Sequence, residues 1–155
     1  MPPSMLTRNS RRVQPVRKHH TQQQIDGLVV SGLTELALGA LTGWPMAVAV
    51  SRPEDLSKLG IRSRARLRQW HLDLIMLGSL TAAASRFVPD PPRSVAVPLA
   101  VGAWVNVNAF GVLAFRPELV DHRVYKTAVG ASFVSATWGF TGLAGVAWKR
   151  WLTQR

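Results

Sequence analysis

Four long apolar runs divide this 155-residue chain, and they constrain its fold more than any other feature. They cover about residues 25–50, 70–88, 95–115 and 127–148. A bilayer core is crossed by roughly 20 apolar residues in a helix, so each run is long enough. The third and fourth contain no charged residue. A soluble four-helix bundle needs a polar outer stripe on each helix, which these two runs lack. Valine-rich runs also suit strands, but strands are short and these runs are not. The sequence predicts an all-α fold: an integral membrane four-helix bundle spanning residues 23–155.

Residues 1–22 carry Arg8, Arg11, Arg12, Arg17 and Lys18 among prolines and glutamines, with few apolar residues. That composition predicts a disordered basic tail. The net charge of +11 invites a nucleic-acid partner, yet the basic residues are scattered through every connection. A nucleic-acid footprint gathers them on one face. Basic residues beside apolar runs meet anionic headgroups instead, so the expected partner is a lipid bilayer and not nucleic acid. Positive charge does not set the orientation, because about ten basic residues fall on one side of a four-span topology and nine on the other. Ala47-Val48-Ala49 resembles a signal-cleavage site, but the run before it is too long for a signal core and contains Glu35, so it reads as a retained span. The expected location is a bacterial inner (cytoplasmic) membrane.

The punctuation between runs is clear. Ser63 is placed to cap a helix whose first turns, RARLRQWH, are basic. Pro89-Asp90-Pro91-Pro92 makes a turn after the second run. Pro98 is expected in the first turn of the third, where a missing donor costs little. Arg116-Pro117 and Lys149-Arg150 close the last two runs. Trp44, Trp70, Trp148 and Trp151 fall near the expected membrane surfaces, as an aromatic belt does.

Several polar groups lie inside these runs, and hydrocarbon rejects such groups unless they meet each other, water or a ligand. In the first run Gly32, Glu35, Gly39 and Gly43 share a helical face, and Gly39 and Gly43 form a GxxxG pair. Glu35 is either a protonated glutamate bonded to a neighbouring helix or a group beside a cofactor or substrate. In the second run His71, Gly78, Ala82 and Ser85 share a face. His71 is either an interfacial residue with a water partner or a ligand. Asp73 points elsewhere, since two residues turn a helix by about 200°, and Arg66, Arg68 or a neighbouring chain are its expected partners. In the third run Gly102, Asn106 and Ala109 share one face, and Trp104, Asn108 and Gly111 another. Buried asparagines of this kind serve as interhelical glue or line a site. His122 and Tyr125 precede the fourth run near the surface.

The chain has no cysteine, which excludes disulfides, thiolate metal sites and cysteine-ligated clusters. No phosphate loop, HExxH or paired-histidine spacing is present.

Taken together, Gly32 to Gly43 (GLTELALGALTG), His71 to Gly78 (HLDLIMLG) and Gly102 to Val107 (GAWVNV) resemble the small four-span proteins of the styrene oxide isomerase and hydroxylaminobenzene mutase family. The resemblance runs in order and spacing from about Ile25 to Trp148. Its most specific parts are a histidine seven residues before a glycine and the Trp-x-Asn-Val of the third run. It implies a homotrimer of four-helix protomers holding haem b at the subunit interface, with the histidine matched by His71 as an axial ligand. Ferric iron would act as a Lewis acid that opens an epoxide toward a carbonyl compound. A small aromatic or apolar substrate would enter from lipid. By the same resemblance Gly78 and Trp104 flank the cofactor. Asn106, Asn108 and Glu35 are the candidate catalytic groups, and Leu77 and Phe110 belong to the substrate pocket. Two positions depart from the family pattern: Leu77 stands where the isomerase has asparagine, and Phe110 where it has tyrosine. Either the substrate is more apolar, or Asn108 and Glu35 position it, or the reaction has been lost. A non-catalytic membrane protein held by polar glue is the alternative.

Overall fold

The computed structural model describes residues 26–155; the basic tail of residues 1–22 lies outside them. Four α-helices follow in order: α1 Gly27–Ser51, α2 Arg64–Phe87, α3 Arg93–Phe115 and α4 Arg123–Thr153. Short 3-10 turns, Pro53–Leu59 and Pro117–Asp121, fill the first and third connections. The fold is all-α, with no strand among the described residues. Three helices, α1, α3 and α4, are long and apolar enough to cross a membrane, which points to a membrane protein. α2 matches them in length but not in composition. It carries Arg64, Arg66, Arg68, Asp73 and Arg86, so the second of the four expected spans is the polar one.

Capping explains the helix starts. The Asp26 carboxylate accepts from the Leu28 amide at 3.0 Å, satisfying a free N–H of the first turn of α1. Its other oxygen accepts from the Ser85 hydroxyl at 2.8 Å, tying the start of α1 to the end of α2. Ser63 caps α2 as its sequence position predicts, accepting from the Arg66 amide at 3.4 Å. Gly60, at φ 73°, turns the chain before it in a conformation that other residues resist. The Ala114 carbonyl then accepts from the amides of Arg62 and Ser63, fastening this connection to the end of α3. At the opposite end Arg150 donates to the carbonyls of Pro89 and Asp90 at 2.6 and 3.1 Å, clamping α4 to the α2–α3 turn.

Pro98 departs from expectation. α3 begins at Arg93, so the proline lies beyond the first turn and deprives the Ser94 carbonyl of its helical donor. The Trp138 indole N–H of α4 supplies one at 3.0 Å. The Pro98 carbonyl accepts from the Ser135 hydroxyl at 2.8 Å. The proline thus becomes a docking point for α4.

The helices pack mainly as neighbours in sequence: α1 on α2, α2 on α3 and α3 on α4. Backbones meet where side chains vanish. A Cβ on Gly32 would stand 2.5 Å from the Gly78 carbonyl oxygen, so α1 and α2 cross at this glycine pair. The Gly39/Gly43 pair is not that crossing, since Gly39 faces Leu74 and Ile75, and Gly43 leaves 3.8 Å to the His71 ring. Two apolar clusters close the ends. Leu28, Val88, Val95, Leu99 and Leu143 form one, and Ala49, Leu56, Ile61, Leu67 and Ala114 the other. The polar groups of the spans lie between them.

Candidate functional site around His71 and the α3–α4 cavity

His71 sits in the groove between α1 and α2, half-buried. Its Nδ1 lies 2.9 Å from the Gly39 carbonyl oxygen and 3.0 Å from the Thr42 hydroxyl. The Thr42 hydroxyl itself donates to the same carbonyl at 2.7 Å. A carbonyl only accepts, so the Gly39 bond requires hydrogen on Nδ1. In the neutral ring the lone pair then resides on Nε2. A backbone carbonyl holding one ring nitrogen while the other stays free is the arrangement that orients metal-ligating histidines. Gly43 faces the ring, and no side chain there occupies the groove.

Glu35 is fully buried, and neither carboxyl oxygen has a hydrogen-bond partner. It lies on the α1 face that meets α2, with its Cβ beside Gly78. Thr81, also fully buried, has an unpartnered hydroxyl. The amide oxygen of Asn106 and the indole N–H of Trp70 are likewise unpartnered. Among the described residues, the Glu35 carboxyl and the Asn106 oxygen make no interhelical bond. Asp73 forms no ion pair among the described residues; it lines a surface hollow with Arg68, Gln69 and Leu72.

The other polar residues of α3 gather elsewhere. A cavity of about 390 Å³ opens between α3 and α4, lined by Trp104, Asn108, Ala109, Val112, Tyr125 and Val129 among others. Its volume suits a small ligand. Its polar groups are nearly all committed. The Trp104 indole donates to the Ser31 hydroxyl of α1 at 2.9 Å. The Asn108 amide donates to the Trp104 carbonyl at 2.8 Å, and the Tyr125 hydroxyl to the Ala109 carbonyl at 3.2 Å. The walls are therefore apolar in effect, with the Asn108 carbonyl oxygen free among the described residues.

The structure thus brings Trp104 and Asn108 together in one cavity, and Glu35 and Gly78 together at one helix crossing. It does not bring Asn106, Phe110, Leu77 or His71 to that cavity. Asn106 is two residues from Asn108 and so faces away from it. The Phe110 ring lies under the Arg66 guanidinium at 5.7 Å. Leu77 is half-buried on α2. Thr42, Thr81 and Tyr125 were not singled out as site residues in the sequence. For Thr42 a signal existed: it lies three residues after Gly39, on the face that carries Glu35. No group of three or more metal-binding side chains occurs among the described residues. Comparison with protein-family models, with curated proteins and with solved structures returns no match, and nothing in it bears on the styrene oxide isomerase resemblance.

Proposed function

We propose that this chain is a four-span membrane isomerase of the styrene oxide isomerase and hydroxylaminobenzene mutase type, holding haem b through His71. The observation that supports this reading is the anchored imidazole: Nδ1 lies 2.9 Å from the Gly39 carbonyl oxygen, which leaves Nε2 as the other ring nitrogen. Gly43 leaves room beside the ring, where a larger side chain would reach the imidazole. Haem iron, when bound, supplies a Lewis acid for rearranging an epoxide to a carbonyl compound or an arylhydroxylamine to its isomer. The chain supplies orientation of the ligand through Gly39 and Thr42, and an apolar cavity beside Trp104 and Asn108 that takes substrate from lipid. Because His71 and that cavity occupy different grooves of one protomer, the reading needs a homo-oligomer, in which a second copy completes the pocket. A trimer in a bacterial inner membrane is the assembly we propose.

Full-length protein purified in mild detergent should be coloured, or become so on adding haem, with a Soret band that His71→Ala abolishes. Protein that stays colourless with added haem sinks the proposal. Turnover of styrene oxide by the loaded protein distinguishes the isomerase from a haem-binding protein without that activity.

A non-catalytic reading has one observation in its favour. Trp104 and Asn108 spend their donors on Ser31 and on the backbone, as packing residues do. It expects Trp104→Phe to lower thermal stability while no rearrangement activity exists to be lost.

A further inference from the structure

We infer that the groove at the α1–α2 end of the molecule is a binding site for the headgroup of an anionic phospholipid. A hollow of about 570 Å³ opens there, lined by Met46 and Val50 of α1 and by Arg64, Ala65 and Arg68 of α2. Arg64 and Arg68 are one helical turn apart, so their guanidinium groups point the same way. Both are exposed, and neither has an ion-pair or hydrogen-bond partner among the described residues. Their neighbours contrast with them. Arg66 donates to Gln69 at 2.9 Å and stacks over Phe110. At the same end Asp55 is paired with Lys58, Glu118 with Arg62, and Asp121 with Lys126. Those three acids are paired locally; Glu54, on the Pro53–Leu59 turn, is exposed and forms no ion pair among the described residues. Asp73 shares a neighbouring hollow with Arg68 but forms no ion pair with it. The hollow is thus two uncommitted fork-shaped cations above an apolar floor, which complements a phosphate joined to acyl chains.

Its depth is right as well. Arg68 and Arg64 precede His71 by about 5 and 10 Å along the helix axis. Trp44, 76% exposed, marks the aromatic belt near that level on α1. The two arginines therefore stand just outside the belt, where headgroup phosphates lie, with Met46 and Val50 of α1 at the same level as the apolar wall of the hollow. Free phosphate would use the arginines alone; a phospholipid would use both walls.

The test is a titration of the full-length protein in neutral detergent, followed by microscale thermophoresis. Dioctanoyl phosphatidylglycerol is compared with dioctanoyl phosphatidylcholine and with inorganic phosphate. Phosphatidylglycerol should bind in preference to both. Arg64→Gln/Arg68→Gln should weaken it about 30-fold, near 5-fold for each arginine. Arg68→Gln alone serves where the double variant fails to fold. Arg116→Gln, an exposed arginine outside the hollow, should leave binding unchanged. Equal binding of phosphate and phosphatidylglycerol overturns the proposal. So does an Arg116→Gln loss matching that of Arg68→Gln, since it would mean diffuse charge and no site.

Discussion

Replacing Gly78 by alanine tests the α1–α2 crossing on which the His71 groove depends. A Cβ there would stand 2.7 Å from the Gly32 carbonyl oxygen, 2.9 Å from the Leu36 amide nitrogen and 3.0 Å from the Glu35 Cβ. Two of these are backbone atoms, so no side-chain rotation relieves the clash. Ordinary contact begins at 3.4 Å, and the helices must part locally by about 0.7 Å, an overpacking that costs about 1–3 kcal/mol. Alanine's better helix propensity returns at most about 1 kcal/mol, so a net loss of about 1–2 kcal/mol is expected. Gly145 provides the control, because a Cβ there meets nothing within 4 Å. Unfolding in mild detergent by added SDS, followed by tryptophan fluorescence, compares the two. Gly78→Ala should unfold at lower SDS than wild type, and Gly145→Ala at the same or higher. A Gly78→Ala variant as stable as wild type would refute the close-approach argument.

Other outcomes follow from single contacts. Pro98→Ala restores a donor to the Ser94 carbonyl, so Trp138→Phe should cost about 1 kcal/mol in the wild type and little in the Pro98→Ala background; a double-mutant cycle of SDS unfolding measures the coupling. Asp26→Ala removes both the α1 cap and the Ser85 bond, and should lower stability by about 1–2 kcal/mol, with Ser85→Ala adding little on top. Arg150→Ala should raise hydrogen exchange in the turn at residues 88–92 while leaving α1 unchanged. In the haem-loaded protein, Thr42→Val should keep the Soret band but alter its position, because the histidine loses a polar neighbour and keeps its carbonyl; an unaltered spectrum would mean that Thr42 does not touch the ligand's electronics.

The helices were legible because their signals are local. Apolar length, the Ser63 cap and the proline turns each act within a few residues, and α1 to α3 follow them; α4 departs, starting at Arg123 and running through Lys149 and Arg150 to Thr153. Pro98 was misplaced for the same reason: the start of α3 extends to Arg93, through Ser94, residues with no apolar signal. Its compensating donor, Trp138, lies 40 residues away, and no local rule reaches it. Face arithmetic separated Asn106 from Asn108 and placed Glu35 toward protein, as observed. It did not reveal which pair of glycines would touch, because Gly32, Gly39 and Gly43 share one face of α1 and only the crossing angle chooses among them. Nor did it show that His71 and Trp104 occupy different grooves, since that depends on how α3 sits against the α1–α2 pair. Tyr125 was visible as a surface residue, but its reach into the cavity needs the position of α4.

The polar composition of α2 bears on how such a chain enters a membrane during synthesis. An arginine or aspartate at mid-helix costs about 2.5–3.5 kcal/mol on insertion scales; α2 carries Asp73 near its middle and four arginines toward its ends. Alone it is a poor candidate for release from a translocon. α1 precedes it, is apolar, and presents Gly32 to receive Gly78. Were α2 to cross the bilayer, the two helices would leave as a hairpin, with α1 retained at the exit until the end of α2 had been delivered.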